Sequence, residues 1–99
     1  MKYRFIINKL AAQDIEESFS WYKEKSKRAA DNFTIEIENA IEKICGNPKI
    51  GKNKYKDAYE IRLKKYPFII VYLIDEKGKL IIITGVFHHM RNPETKYRI

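Results

Sequence analysis

The chain has 99 residues and a formal net charge of +7, with 44% hydrophobic, 13% aromatic and 33% charged residues. That is one domain's length, 1–99, with enough apolar side chain to bury a core without disulfides or a structural metal. Default disorder is excluded, and so is a membrane span, because no apolar run approaches the ~20 residues it needs. Met1-Lys2-Tyr3-Arg4 leads into only Phe5, Ile6 and Ile7, too short for a signal-peptide core, so a cytoplasmic location is expected. The lone Cys45 has no internal disulfide partner and lies in an apolar helical stretch, where packing explains it.

The charge is unevenly spread. Residues 1–48 hold eight Lys/Arg and eight Asp/Glu, whereas residues 49–99 hold twelve Lys/Arg against five Asp/Glu. The second half is therefore expected to meet nucleic acid or an acidic protein segment, unless it is only a solvated lysine-rich surface.

In chain order, Tyr3–Asn8 is short, β-branched and aromatic, the pattern of a strand. From Ala11 to Lys25 the residues Ala11, Ile15, Ser18/Phe19 and Tyr22 recur at helical spacing. Asp14, Glu16 and Glu17 near that helix's start and Lys23, Lys25 and Lys27 near its end suit the helix dipole. A second helix is predicted over 29–44, with Ala30, Phe33, Ile37, Ala40, Ile41 and Ile44 on one stripe, ended by Gly46-Asn47-Pro48. The short Ser26-Lys27-Arg28 link implies an antiparallel helical hairpin.

Lys49–Asp57 is polar and lysine-rich and contains Gly51, so an exposed loop is predicted there. Tyr59, Ile61 and Leu63 then alternate with Glu60, Arg62 and Lys64, giving a strand with one apolar and one charged face. Phe68–Ile74 is nearly continuous apolar, as in a central strand, with Pro67 at its start. Asp75–Lys79 is a turn and Leu80–Phe87 a returning strand; His88–Ile99 has no clear period. The order β-α-α-β-β-β makes this an α+β domain, a helical hairpin packed on one face of a mostly antiparallel sheet. The other face, with Arg62 and Lys64, is left as a working surface.

The chemistry available is limited. There is no GxxxxGK phosphate loop, no Cys/His metal spacing and no serine in a nucleophile turn, so neither metal nor cofactor is expected. His88 and His89 close the last strand, where neighbours point to opposite faces; only one is expected to face the site, and they make no metal pair. Arg62 is the best phosphate grip, since guanidinium forks onto two oxygens, or else a plain strand charge or an anchor for the tail. Lys49, Lys52, Lys54 and Lys56 make either a phosphate-attracting edge or a solvated loop. In the tail, Arg91, Tyr97 and Arg98 either reach phosphate and stack a base or simply pin the tail to the sheet. Phe19, Trp21 and Tyr22 are expected in the core or against a partner.

Four stretches carry a resemblance: "AAQDIEESFSWY" (11–22), "ICGNPKIG" (44–51), "YEIRLKKYPFIIVYLID" (59–75) and "GVFHHMRNPETKYR" (85–98). Together, and in this order, they resemble the RelE/ParE superfamily of type II toxin–antitoxin toxins, nearer its ParE branch. The resemblance implies a helical hairpin on a curved antiparallel sheet, and growth arrest until a cognate acidic antitoxin wraps the toxin. ParE-like members inhibit DNA gyrase; RelE-like members cut mRNA on the ribosome. Arg62 falls where the superfamily's strand arginine does. For a nuclease, the implied candidates are Arg62, one of His88 and His89, and tail Arg91 or Tyr97. For a binding toxin, Lys49, Lys52, Lys54, Lys56, Arg62, Lys64, Arg91 and Arg98 would form the acidic-partner or nucleic-acid surface. With no unambiguous acid–base set, gyrase inhibition is the expected activity and mRNA cleavage the alternative.

Overall fold

The computed structural model describes residues 2–89. A first strand β1 (Arg4–Ile7) is followed by helices α1 (Lys9–Lys25) and α2 (Lys27–Gly46) and a short 3-10 turn (Pro48–Ile50). Strands β2 (Lys52–Tyr55), β3 (Ala58–Arg62), β4 (Phe68–Asp75) and β5 (Leu80–His88) complete the order. The sheet runs β1-β5-β4-β3-β2; β1 is parallel to β5 and every other pair is antiparallel. This is the expected α+β arrangement with one strand more.

Local chemistry sets the helix ends. The Asn8 side chain accepts from the Ala11 amide (2.9 Å) and starts α1 two residues earlier than periodicity suggests. Ser26 alone separates the helices: its backbone ends α1, and its hydroxyl accepts from Ala29 N–H to start α2. Gly46 is still helical and Asn47, not the glycine, closes α2, with Pro48 opening the next turn.

The expected loop at 49–57 contains β2, whose residues are all exposed and so show no apolar alternation to read. It is held by backbone pairing with β3 and by a close approach at Gly51. A Cβ on Gly51 would sit 2.6 Å from both the Glu60 carbonyl oxygen and the Tyr72 hydroxyl. That hydroxyl accepts from Gly51 N–H (3.1 Å) and donates to the Pro48 carbonyl (2.6 Å), so the central strand ties down the segment leading into β2.

The main core lies between the sheet and the hairpin. Phe33, Ile37, Ile41 and Ile44 of α2 meet Leu63, Phe68, Ile70, Tyr72, Ile81, Ile83 and Val86, with Tyr59 and Ile61 packed at the side. A smaller apolar strip, Ala58, Ile69, Val71 and Phe87, lies on the opposite face. Thus β4 is covered on both sides, as its continuous apolar sequence implies.

Ile83 and Val86 are three residues apart yet share the helix-facing core. Strict alternation forbids this; a bulge allows it. Val71 pairs with Gly85 and Tyr72 with Ile83, so Thr84 is the extra residue. The Thr84 hydroxyl donates to the Val71 carbonyl (3.3 Å), and the Val86 amide donates to the Asp14 carboxylate (3.0 Å). Asp14 therefore serves the bulge rather than the dipole of α1, whose first turn holds no acid.

Two stability outcomes follow. Ile41→Ala, deleting a side chain 4% exposed, is expected to cost about 2–5 kcal/mol in denaturant unfolding. Asp14→Ala strands the Val86 amide and is expected to cost about 1–3 kcal/mol, with Asp14→Asn, which keeps an acceptor, losing less. An Asp14→Ala protein as stable as wild type would mean the bulge needs no acceptor.

Candidate functional site

The face of the sheet away from the helices gathers the charged residues in register. Lys52 stands opposite Glu60, Glu60 opposite Val71, and Val71 opposite Gly85. In the next row Arg62 stands opposite Ile69 and Ile69 opposite Phe87. Alternation on β3 places Ile61 and Leu63 toward the helices and Arg62 on this outer face, as the sequence predicts. Gly85 leaves room for the Phe87 ring to lean across its row, and a side chain at 85 would collide with that ring.

The candidate residues separate into groups. Lys52, Lys54, Glu60 and Arg62 line one hollow of about 400 Å³, floored by Ile69. Lys49 and Lys56 line a different hollow of about 680 Å³, around Tyr55, Ala58, Val71 and Thr84. There Lys49 lies 3.6 Å from Glu76, and the Lys56 ammonium sits 5.3 Å from the Tyr55 ring centroid. The expected single lysine edge is thus two: the register shift between Asn53 and Tyr55 sets Lys56 apart from Lys52 and Lys54, and Lys49 lies in the 3-10 turn before β2. Lys64 lies past the end of β3, in a bend whose Lys64 and Lys65 amides both donate to Glu36 of α2 (3.1 Å each).

The histidines differ from a simple alternating pair. His88 is half-buried, its ring edge-on to Phe68 at 5.4 Å. His89 has left the strand, is exposed, and donates its backbone N–H to the Pro67 carbonyl (2.9 Å). Because the chain turns there, the two rings stack at 5.4 Å rather than pointing apart. Among the described residues no group of three metal-ligating side chains exists beside them. His89 is the imidazole that feels Arg62. Its pKa is lowered from the ordinary 6.5 by desolvation first, then by the Arg62 guanidinium and by His88.

Sequence reasoning placed Glu60 on the charged face but missed its burial to 9% exposure amid cations. It also missed the anchors Glu36 and Tyr66, whose hydroxyl donates to the Ala29 carbonyl (2.8 Å). Both fix the bend that presents Pro67 to His89. Trp21 is not core: it is 54% exposed, edge-on to Tyr22, with the Lys25 ammonium 5.2 Å from its ring centroid. Phe19 and Tyr22 are half-buried. Cys45 is buried, and burial raises its thiol pKa. Arg91, Tyr97 and Arg98 lie outside the described residues.

The arrangement offers a cationic pocket, and its Arg62 helps to disfavour a proton on His89. As pH falls below 6.5 the unfolded chain takes up the His89 proton before the fold does, so that residue's contribution to stability is lost in the acid direction. In an NMR titration His89 is expected to show a midpoint below 6.5, moving upward in Arg62→Ala. An unmoved midpoint in that variant would separate His89 from Arg62.

No helix of the described residues is long and apolar enough to cross a membrane. No curated protein sequence matches the chain. Among solved structures, the chromosomal ParDE system of P. aeruginosa superimposes with a TM-score of 0.73 at 16% identity, over 88% of this chain and 96% of that one. A chain of the RelBE2 toxin–antitoxin complex of Mycobacterium tuberculosis gives 0.64 at 16% identity, over 89% and 99%. The isolated E. coli RelE toxin gives 0.64 at 13% identity, over 95% and 92%. At such identities these similarities establish the shared fold. The family model for the ParE toxin of the type II toxin–antitoxin system parDE matches residues 5–93, nearly the whole chain, and this protein belongs to that family of toxins.

Proposed function

We propose that this toxin arrests growth by binding and inhibiting DNA gyrase, and that a cognate acidic antitoxin neutralises it by covering its basic half. Solved relatives include toxin–antitoxin complexes, among them an E. coli RelE variant with an antitoxin RelBc peptide. The observation that carries the binding reading is the make-up of the outer face. Lys52, Lys54 and Arg62 line one hollow with Glu60, a residue nine-tenths covered and set opposite Lys52 in register. Cleavage of RNA by its own 2′-hydroxyl needs a free base and a free acid on either side of the phosphate. Here His88 stands opposite Phe68, on the helix-facing side of the sheet, and His89 is the imidazole whose pKa Arg62 helps to lower. A cationic pocket next to an apolar strip serves recognition without bond chemistry.

One observation favours the alternative, a ribosome-dependent mRNA endoribonuclease. His89 is held neutral beside a guanidinium, the state and place of a proton acceptor at a phosphate. In that reading Arg62 grips phosphate and His89 exchanges the proton.

The test is to express the toxin and follow mRNA integrity and DNA supercoiling in the same cells. Loss of supercoiling with intact messages is expected; rapid fragmentation of translated messages with normal supercoiling would reverse the assignment. Arg62→Ala should fold normally, since a charge on an open face carries little stability, and should weaken growth arrest. His89→Ala should reduce arrest only in step with lost affinity. A folded His89→Ala protein that binds its target normally but has lost about 10²–10⁴ of its activity would establish the nuclease.

A further inference from the structure

At the opposite end of the sheet, β1 pairs with β5 on one side and, among the described residues, ends the sheet on the other. Exposed strand edges are normally blunted with charge, proline or a bulge, because their free amides and carbonyls template pairing with another chain. This one carries three consecutive apolar residues: Phe5, Ile6 and Ile7 are 48%, 50% and 37% exposed. Leu10, just beyond, is 39% exposed. The helix-side residues of β1 also border an apolar hollow of about 690 Å³ that includes Ile37 and Ile41.

The backbone specifies which groups are free. Arg4 N–H donates to the Lys79 carbonyl (2.9 Å) and Asn8 N–H to the Ile83 carbonyl (3.0 Å), so even-numbered amides face β5. Alternation turns the amides and carbonyls of Phe5 and Ile7 outward. The Tyr3 amide is already used by the Cys45 carbonyl (3.0 Å).

We propose that this edge pairs antiparallel with the same edge of a second copy, about a two-fold axis at Ile6, making one sheet continuous through both chains. In that register Phe5 of each copy lies opposite Ile7 of the other, and each such pair exchanges both backbone bonds. All outward groups of Phe5 and Ile7 are then satisfied. Ile6 faces Ile6 on the outer face, and Arg4 lies opposite Asn8, so no cation faces a cation across the ladder. Moving the axis to Phe5 sets Ile7 against Tyr3, whose amide is taken, and the pairing becomes one-sided. The strand is self-complementary in one register, which is what an isologous interface requires.

So short a ladder makes a small interface, and the dimer belongs to the weak class, with a dissociation constant on the order of 10–100 µM. Each copy carries +7, so added salt should strengthen this association by screening repulsion. Docking of an acidic strand or a nucleic acid would weaken with salt instead.

Sedimentation equilibrium of the full chain, from about 5 to about 500 µM, reads the dimer directly. Wild type is expected to dimerise, more tightly at about 0.5 M than at about 0.15 M salt. Ile6→Lys and Ile6→Glu each set like charges across the axis and should dissociate at least about tenfold more readily. Their equimolar mixture should recover dimers, because Lys then faces Glu. Circular dichroism confirms that both variants fold, as Ile6 is half exposed. A wild-type chain that stays monomeric throughout overturns the proposal, as does a mixture no tighter than either variant alone. Dimers that weaken with salt also overturn it. A monomer whose Phe5 and Ile7 amides gain exchange protection only with an added acidic peptide would assign the edge to another partner.

Discussion

Between β4 and β5 the ladder runs from Phe68–His88 to Asp75–Leu80, and it slips by one residue at Thr84. That slip decides which way the end of the chain points. Before it, Ile81 and Ile83 face the helices; after it, Val86 does, and Gly85 and Phe87 are delivered to the outer face. Without the extra residue, Phe87 and the chain leading to His89 would change sides, and Val86 would leave the core. The bulge costs one ladder position. The Val86 amide just after it donates to Asp14, reaching across from α1, and the Thr84 hydroxyl donates to the Val71 carbonyl. A helix side chain thus stabilises the irregularity on which the outer face depends, and the helical hairpin is part of the site's construction although it contributes no side chain to the pocket.

The electrostatics of that face are those of cations held around an acid. Glu60 lies in register with Lys52 and two residues from Arg62, so the local field is less positive than the lysine count suggests. Glu60 is nearly buried and lines the same hollow as Lys52, Lys54 and Arg62, so its carboxylate lowers the positive potential there. The guanidinium on the open side of this cluster disfavours a proton on His89. Arg62 is therefore an exposed charge on the outer face and, after desolvation, one of the causes that lower the His89 pKa.

The sequence made legible whatever repeats with a period. The stripe Phe33, Ile37, Ile41 and Ile44 marked the buried side of α2, and Tyr59, Ile61 and Leu63 marked the helix-facing side of β3. The continuous apolar run at 68–74 marked the central strand. What escaped were features made by single long-range contacts. β2 is exposed on both faces and held by backbone pairing, so no pattern announces it. The bulge is invisible because Thr84 is an ordinary strand residue. The left-handed residue of the β4–β5 turn is Lys79 (φ 52°), a residue type that gives no sign of that conformation. The histidines were placed by alternation, which fails where the strand ends and the chain turns back to Pro67.

Two helices cannot cover both faces and both edges of a five-stranded sheet in a chain this short. The hairpin covers one face. Among the described residues the other keeps only a strip of apolar cover, with Lys52, Lys54 and Arg62 exposed, and β1 keeps an unpaired edge with three apolar residues. Such surfaces are liabilities in a protein that must stand alone, since they invite pairing and aggregation. In a protein of a toxin–antitoxin system they have a different meaning. Charge and apolar surface left open on the outer face are the kind of surface that a partner can cover. The bare edge lies at the far end of the sheet from β2 and its basic hollow. Pairing there need not obstruct binding at the pocket, and the two surfaces can be occupied independently unless one partner is long enough to span both.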